Sequence, residues 1–410
     1  MNSIFSWTSL WPRVLALVSL LTLAAPGRGQ IASHPVPDAP VADYYRQPAA
    51  EQERSPAQTS TQDPQGPQAE PTTPTIEKSR KLSRTFRAPL TKPFLLSTRY
   101  GRVQINVWTR KEVRTDVDII TRADSEEKAH ELQEMIQVAL LENDPTTNGG
   151  ITVRSKFGAM PGGCWSRQRL FEVNYTVWLP KNQALAVANT FGDVSITGDL
   201  TAPVDLSMEY GTLRTGRLEG SANVVHVKNG SASLEYVNRA TLDANYAKLR
   251  LDAGEVVELR NNYSDIDIGT VQNLIVHSKY GDVALGTVRS LSGTSGFGRF
   301  SVDKVSERLD MKVQHCPAFE VRNTSPNFRQ INLDGGYSTI LLNFPDGTGF
   351  NFDVNTQFGK LLLDKRLVTV RSEESSPASS DLQGQYGRTT PKAGGNVNIK
   401  ARYTNVSFNR

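Results

Sequence analysis

Two groups of side chains in this 410-residue chain have types and spacings that could do chemistry. His226, Asp243, Arg260 and His277 recur at intervals of 17 residues. A histidine beside a carboxylate is two thirds of a nucleophilic relay, and histidines next to an arginine could hold an anionic sugar or a loosely bound metal. No serine or cysteine is placed to complete the relay. A firm metal site needs three or four converging ligands, whereas a flat sheet face spreads them apart. The four residues are therefore a candidate binding face, and the expectation is no catalytic residue, no metal and no cofactor. The second group is Asp265, Asp267 and Asp282. Glycosidic cleavage needs two carboxylates about 5–10 Å apart. Lys248, Arg250 and Arg299 flank the three acids in the same pattern, so cross-strand charge pairing explains the set.

Both groups depend on a repeat that must position them. The phrase "SKYGDVALG" at residues 278–286 returns in weaker form from Phe191 onward, with starts at Phe191, Tyr210, Asn229, Tyr246, Tyr263, Tyr280, Phe297, Cys316, Tyr337 and Phe358. A near-constant period of this kind signals a repeat architecture. Apolar residues fall two, four and six places before each start and three and five places after it, as Leu274, Val276, Val283 and Leu285 do around Tyr280. Alternation of period two reads as half-buried strands. The phase slips between the two runs, so the chain must turn at the start, where a following glycine, as in Tyr210-Gly211, can take a positive φ. A two-strand corner cannot bury its apolar side alone, and copies must stack about 4.8 Å apart. The fold class that follows is all-β, a parallel β-solenoid of 17–21 residues per repeat. Its aromatic corner, Tyr100, Phe191, Tyr210, Tyr246, Tyr263, Tyr280, Phe297, Tyr337, Phe358 and Tyr403, is expected to face inward.

Arg13, the apolar run "VLALVSLLTLAA" and the small residues of "PGRGQ" have the layout of a secretory signal peptide over residues 1–29. Residues 30–91 are rich in Pro, Gln, Ala, Ser and Thr, the composition of a disordered linker. The solenoid domain is then 92–410. Within it "DSEEKAHELQEMIQVALLEN" places Leu132, Met135, Ile136, Ala139 and Leu140 on one helical stripe, predicting a helix over 125–143, opened by a capping box of Asp124 and Glu127 and lying beside the early turns or over the amino-terminal end. The stretch 371–394 reads as a looped-out polar insertion, and "VNIKARYTNVSF" as the closing unit.

A net charge of +4 argues against a nucleic-acid surface, and no further stretch approaches the ~20 apolar residues of a membrane span. Cys164 and Cys316 are too far apart in the repeat for a disulfide, so two free thiols are expected, with Cys316 buried at the aromatic corner.

The signal peptide, the early "YGRVQI" unit, the helix, "NYTVWLP" leading into "LAVANTFGDVSITG" and the run of Gly-Asp-Val corners resemble the bacterial putative adhesin family over residues 94–410. That resemblance implies an exported right-handed solenoid, in the periplasm or at the cell surface, of unknown function and with no catalytic residues to transfer. The expected function is a non-enzymatic, adhesin-like binding or structural module of the bacterial envelope whose partner is an envelope protein or polysaccharide. The alternatives are a β-helix carbohydrate-active enzyme and a periplasmic sensory or assembly component.

Overall fold

A computed structural model describes residues 76–88, 90–145, 149–159, 170–387 and 394–410. The expected signal peptide, most of the linker and Cys164 lie outside the described residues. The described chain is all-β, one large sheet of parallel and antiparallel pairings with a single α-helix.

The centre is regular because its sequence is. Strands Ser231–Asn245, Lys248–Asn262, Asp265–Lys279, Val283–Gly296 and Phe300–Gln314 each pair in parallel with the next. In the first three pairings every residue opposes the one 17 places on, as in Ser233 to Arg250 and Arg250 to Asp267. Period-two alternation then stacks like upon like. Leu249, Leu251, Val257 and Leu259 lie in the core, as do Ile266, Ile268, Leu274 and Val276 on the next strand. A register shift between Val288 and Ser290 lengthens the turn before His315 by one residue.

The corners depart from the expectation. The positive φ belongs to the aromatic residue itself, +50° to +60° at all ten predicted positions, and also at Asn229 and His315. The left-handed backbone swings the ring out of the alternation, so nine of the ten rings are 37–58% exposed, and Tyr280 is half-buried. The glycine that follows answers a different demand. A Cβ at Gly211 would stand 2.0 Å from the Gly192 carbonyl oxygen, and one at Gly298 2.0 Å from that of Gly281, so only glycine admits this approach between turns. In copies without glycine the side chain is buried, and where it is a serine its hydroxyl bridges to the neighbouring copy. Ser338 Oγ accepts the Cys316 N–H at 3.0 Å and donates to the Gly336 carbonyl at 2.8 Å, and Ser264 Oγ does the same for Ala247 and Asn262. Cys316, a buried free thiol, occupies this second place and not the aromatic one, which His315 holds.

Both ends are built differently. At the amino-terminal end, Phe94–Arg99 and Val103–Trp108 pair in parallel with Leu185–Thr190 and Val194–Thr197. The intervening chain turns back beneath them. Gly150–Phe157 and Phe171–Pro180 add in parallel, then Ile136–Asp144, Glu112–Ala123 and Ile76–Arg87 add antiparallel. The strand Ile76–Arg87 corrects the expected linker boundary at 91. It buries little beyond Phe86, which is why composition hides it; its 12 residues are held by backbone pairing with Glu112–Ala123.

The helix spans Glu126–Glu134 only. Ser125, not Asp124, is its N-cap, accepting the Lys128 N–H, while Asp124 binds the Lys128 ammonium at 2.8 Å. The run "IQVALL" forms a strand because Gly150–Phe157 offers it an edge, a choice that an apolar run leaves open. Ala129 and Leu132 pack on Ala123, Leu170 and Phe171, beside the first turns.

At the other end the chain order inverts. Gly395–Arg402 inserts between Gln330–Gly336 and Phe350–Gln357, parallel to both. The expected closing unit is thus next to last in space. The expected insertion at 371–394 instead supplies two antiparallel strands, Val368–Ser375 and Ser379–Tyr386, the latter covering the free edge of Phe350–Gln357.

Candidate functional site

The outward polar column forms as the spacing requires. His226 opposes Asp243, Asp243 opposes Arg260, and Arg260 opposes His277 on four successive parallel strands. His226 Nδ1 lies 2.8 Å from Asp243 Oδ2. That hydrogen bond, against the opposing cost of desolvation, holds the His226 pKa above its ordinary value. Arg260 turns to Glu258 at 2.7 Å, and His277 Nδ1 lies 3.4 Å from Thr294 Oγ1. The four residues share a face, but only the first two bind each other, and each remaining member has its own local partner.

The acids of the second group line one shallow groove of about 630 Å³ together with Lys248, Arg299 and Arg322. Their hydrogen bonds show why the repeat favours aspartate here. Asp282 Oδ1 accepts the Arg299 N–H of the next turn at 2.9 Å, and Asp193 Oδ1 accepts the Thr212 N–H at 3.0 Å. Asn405 does the same for Lys360. The side chain satisfies a backbone donor at the point where the corner leaves the parallel ladder, so the Asp of "GD" is a turn-to-turn cap. Asp267 is bridged by Arg250, which also binds Asp252. Asp265 has no such partner. Among the described residues no group of three His, Cys, Asp or Glu side chains is placed to hold a metal ion.

The aromatic corner, expected inside, lies on the surface. Tyr100, Phe191 and Tyr210 form one stack of rings, with centroids 5.4 and 4.8 Å apart and planes within 5°. After the gap at Asn229, a second stack runs Tyr246, Tyr263, Tyr280, Phe297, His315, Tyr337, Tyr403, Phe358, at 4.5–5.1 Å and mostly within 12° of parallel. Phe157 and Phe171 close the first stack edge-on against Tyr100. Lys279 and Arg402 lie over the neighbouring rings of Tyr280 and Tyr403. Spacing alone missed His315, although Leu309, Met311 and Val313 stand six, four and two places before it, the same apolar signature as in other copies.

No protein-family model and no curated protein sequence matches the chain. Solved structures do. A putative cell adhesion protein from Clostridium sporogenes is 10% identical, with 81% of this chain and 99% of that one covered at a TM-score of 0.19. A putative adhesin from Bacteroides fragilis is 13% identical, with 64% and 97% covered at 0.29. Both of these are named as adhesion proteins, whereas another similar structure, from Parabacteroides distasonis, is named a putative lipid binding protein. A putative adhesin from Parabacteroides merdae is 8% identical, with 82% and 96% covered at 0.25. Those names belong to those proteins; at such TM-scores no family, residue role or activity is carried across. No helix among the described residues is long and apolar enough to cross a membrane.

Proposed function

We propose that the chain is an exported, non-enzymatic binding module of the bacterial envelope, in the periplasm or at the cell surface, in which each repeat of 17–21 residues is one turn of a parallel β-solenoid. Its long ridged faces are the binding surfaces, and the Pro-rich segment before Ile76 is a tether. One observation carries this reading: two of the three acids gathered in the groove have structural duties. Asp282 caps the neighbouring turn and Asp267 is bridged by Arg250. A carboxylate fixed as a backbone acceptor is poorly suited to exchange protons with a substrate. The test pairs a binding screen against envelope glycans and envelope proteins with assays for cleavage of the same polysaccharides. Binding without cleavage is expected; turnover that disappears in Asp265→Asn would overturn the reading.

The second reading, a carbohydrate-active enzyme, is favoured by the groove that gathers Asp265, Asp267 and Asp282 between arginines. Asp265, the acid without an assigned partner, is its candidate for proton transfer, which is why that substitution decides between the two.

A further inference from the structure

The eight-ring stack from Tyr246 to Phe358 is a ridge of seven Tyr or Phe rings and the His315 imidazole, with seven gaps of 4.5–5.1 Å, on the order of 34 Å long at one strand spacing per ring. Soluble monomers seldom expose one continuous apolar strip of this extent. The corner geometry does not demand rings, because Asn229 holds the same backbone conformation, φ +52°, without one.

What could cover the ridge is limited by how the rings lie. Apart from the outer faces of Tyr246 and Phe358 at the two ends, each face is covered by the next ring, so neither a base nor a sugar can enter between them. Only ring edges and tyrosine hydroxyls are offered outward, an apolar body with a polar tip, the character that places tyrosine at the boundary between hydrocarbon and water. The rim is basic. In the places one before and two after each ring of this run stand Lys248, Lys279, Arg299, Lys360 and Arg402, all exposed, against only two acids, Asp265 and Asp282. One of those acids, Asp282, is held by the Arg299 N–H. A line of interfacial rings flanked by five cations and two acids has a net positive rim, which complements an extended anionic surface better than a small ligand or a neutral chain.

We infer that this ridge docks the protein on an anionic lipid bilayer, tyrosine and phenylalanine edges entering the headgroup layer and the flanking lysines and arginines meeting the lipid phosphates. The inference rests on the reading of the chain as a non-enzymatic binding module and names the partner of one of its surfaces.

The test is flotation of the full chain with vesicles of phosphatidylglycerol and phosphatidylcholine, and with phosphatidylcholine alone, at low and high salt. The variant Tyr263→Asn, Tyr280→Asn, Tyr337→Asn uses the residue that position 229 already accommodates, and its melting curve checks the fold. Made in the same full chain, it leaves any contribution of the first 75 residues common to both proteins. The account expects binding to the anionic vesicles that high salt weakens, little binding to phosphatidylcholine, and at least a tenfold lower partition for the ring variant. A second variant, Lys279→Gln, Arg299→Gln, Lys360→Gln, leaves the rings intact and should lose the preference for anionic vesicles. Absence of anionic-vesicle binding by the unaltered chain would overturn the inference, as would undiminished binding by a folded ring variant. So would a dimer in light scattering that the ring variant converts to monomer, because a second copy would then be the occupant. Failure of any of these leaves the glycan and protein screen as the separate judge of the binding-module reading.

Discussion

The centre and the two ends of the sheet solve the same problem in opposite ways. From Ser231 to Gln314 every strand finds a parallel copy of itself on either side, and the alternation that buries one turn buries the next. At the ends no such neighbour exists, and an unpaired edge invites association with another chain. Antiparallel strands finish the sheet there: Ile76–Arg87, Glu112–Ala123 and Ile136–Asp144 at one end, Ser379–Tyr386 and Val368–Ser375 at the other. At the first end two arginines add a clasp, Arg80 donating to the Ile136 carbonyl and Arg84 to that of Leu140, both at 2.6 Å. The lesson is that repetition supplies the core, while the finishing strands follow local needs and carry little of the core's pattern.

The largest test of that contrast sets one leucine against one valine. Leu259 is fully buried in a central strand, so Leu259→Ala should lower the unfolding free energy by about 2–5 kcal/mol in urea denaturation. Val370 in the final hairpin is 47% exposed, and Val370→Ala should stay within about 0.5 kcal/mol. Equal losses would mean that the hairpin belongs to the same cooperative core. A more local effect is expected from Arg80→Ala with Arg84→Ala. Hydrogen exchange should quicken in Ile76–Arg87 and Ile136–Asp144 and remain unchanged in Lys248–Asn262; uniform quickening would show that the clasp governs global stability.

The ridge offers a smaller effect of opposite sign. A left-handed non-glycine residue costs roughly 1–2 kcal/mol, and ring pairing returns about 0.5–1.5 kcal/mol, so the stack offsets the strain of its own corners. Asn229→Tyr would place a ring between Tyr210 and Tyr246 and join the two stacks. A gain of up to about 1 kcal/mol in thermal or chemical unfolding is expected, and a loss would show that the rings repel or misalign there. The smallest effect is on pH. The Asp243 hydrogen bond raises the folded pKa of His226 above its ordinary 6.5. Its stabilisation is therefore complete below the unfolded value and is lost as pH rises through the folded one. Imidazole titration by NMR should show the raised value, and Asp243→Asn should return it toward 6.5.

The repeat, the inward phase of residues such as Leu274 and Val283, and the juxtaposition of His226 with Asp243 were legible in the sequence, because period two and a fixed spacing determine them. The outward turn of the rings was not. Tyr263 continues the apolar phase of Val257 and Leu259, and only the left-handed backbone removes it from the core. The available signal was Asn229, an αL-tolerant residue in a column of aromatics. Ile136–Asp144 was unreadable for a different reason: its conformation is set by a partner strand, Gly150–Phe157, that local pattern does not specify.

The claim on which all of this rests is parallel stacking in one register, and cysteine pairs test it most directly. In a background with Cys164→Ser and Cys316→Ser, the latter placing serine where Ser264 and Ser338 already fill the corner, Ser233→Cys and Arg250→Cys should close an intramolecular disulfide on mild oxidation, because those residues face each other on adjacent turns. Ser233→Cys with Asp267→Cys, one turn further, should not. Closure of the second pair, or failure of the first in a folded protein, would contradict the account.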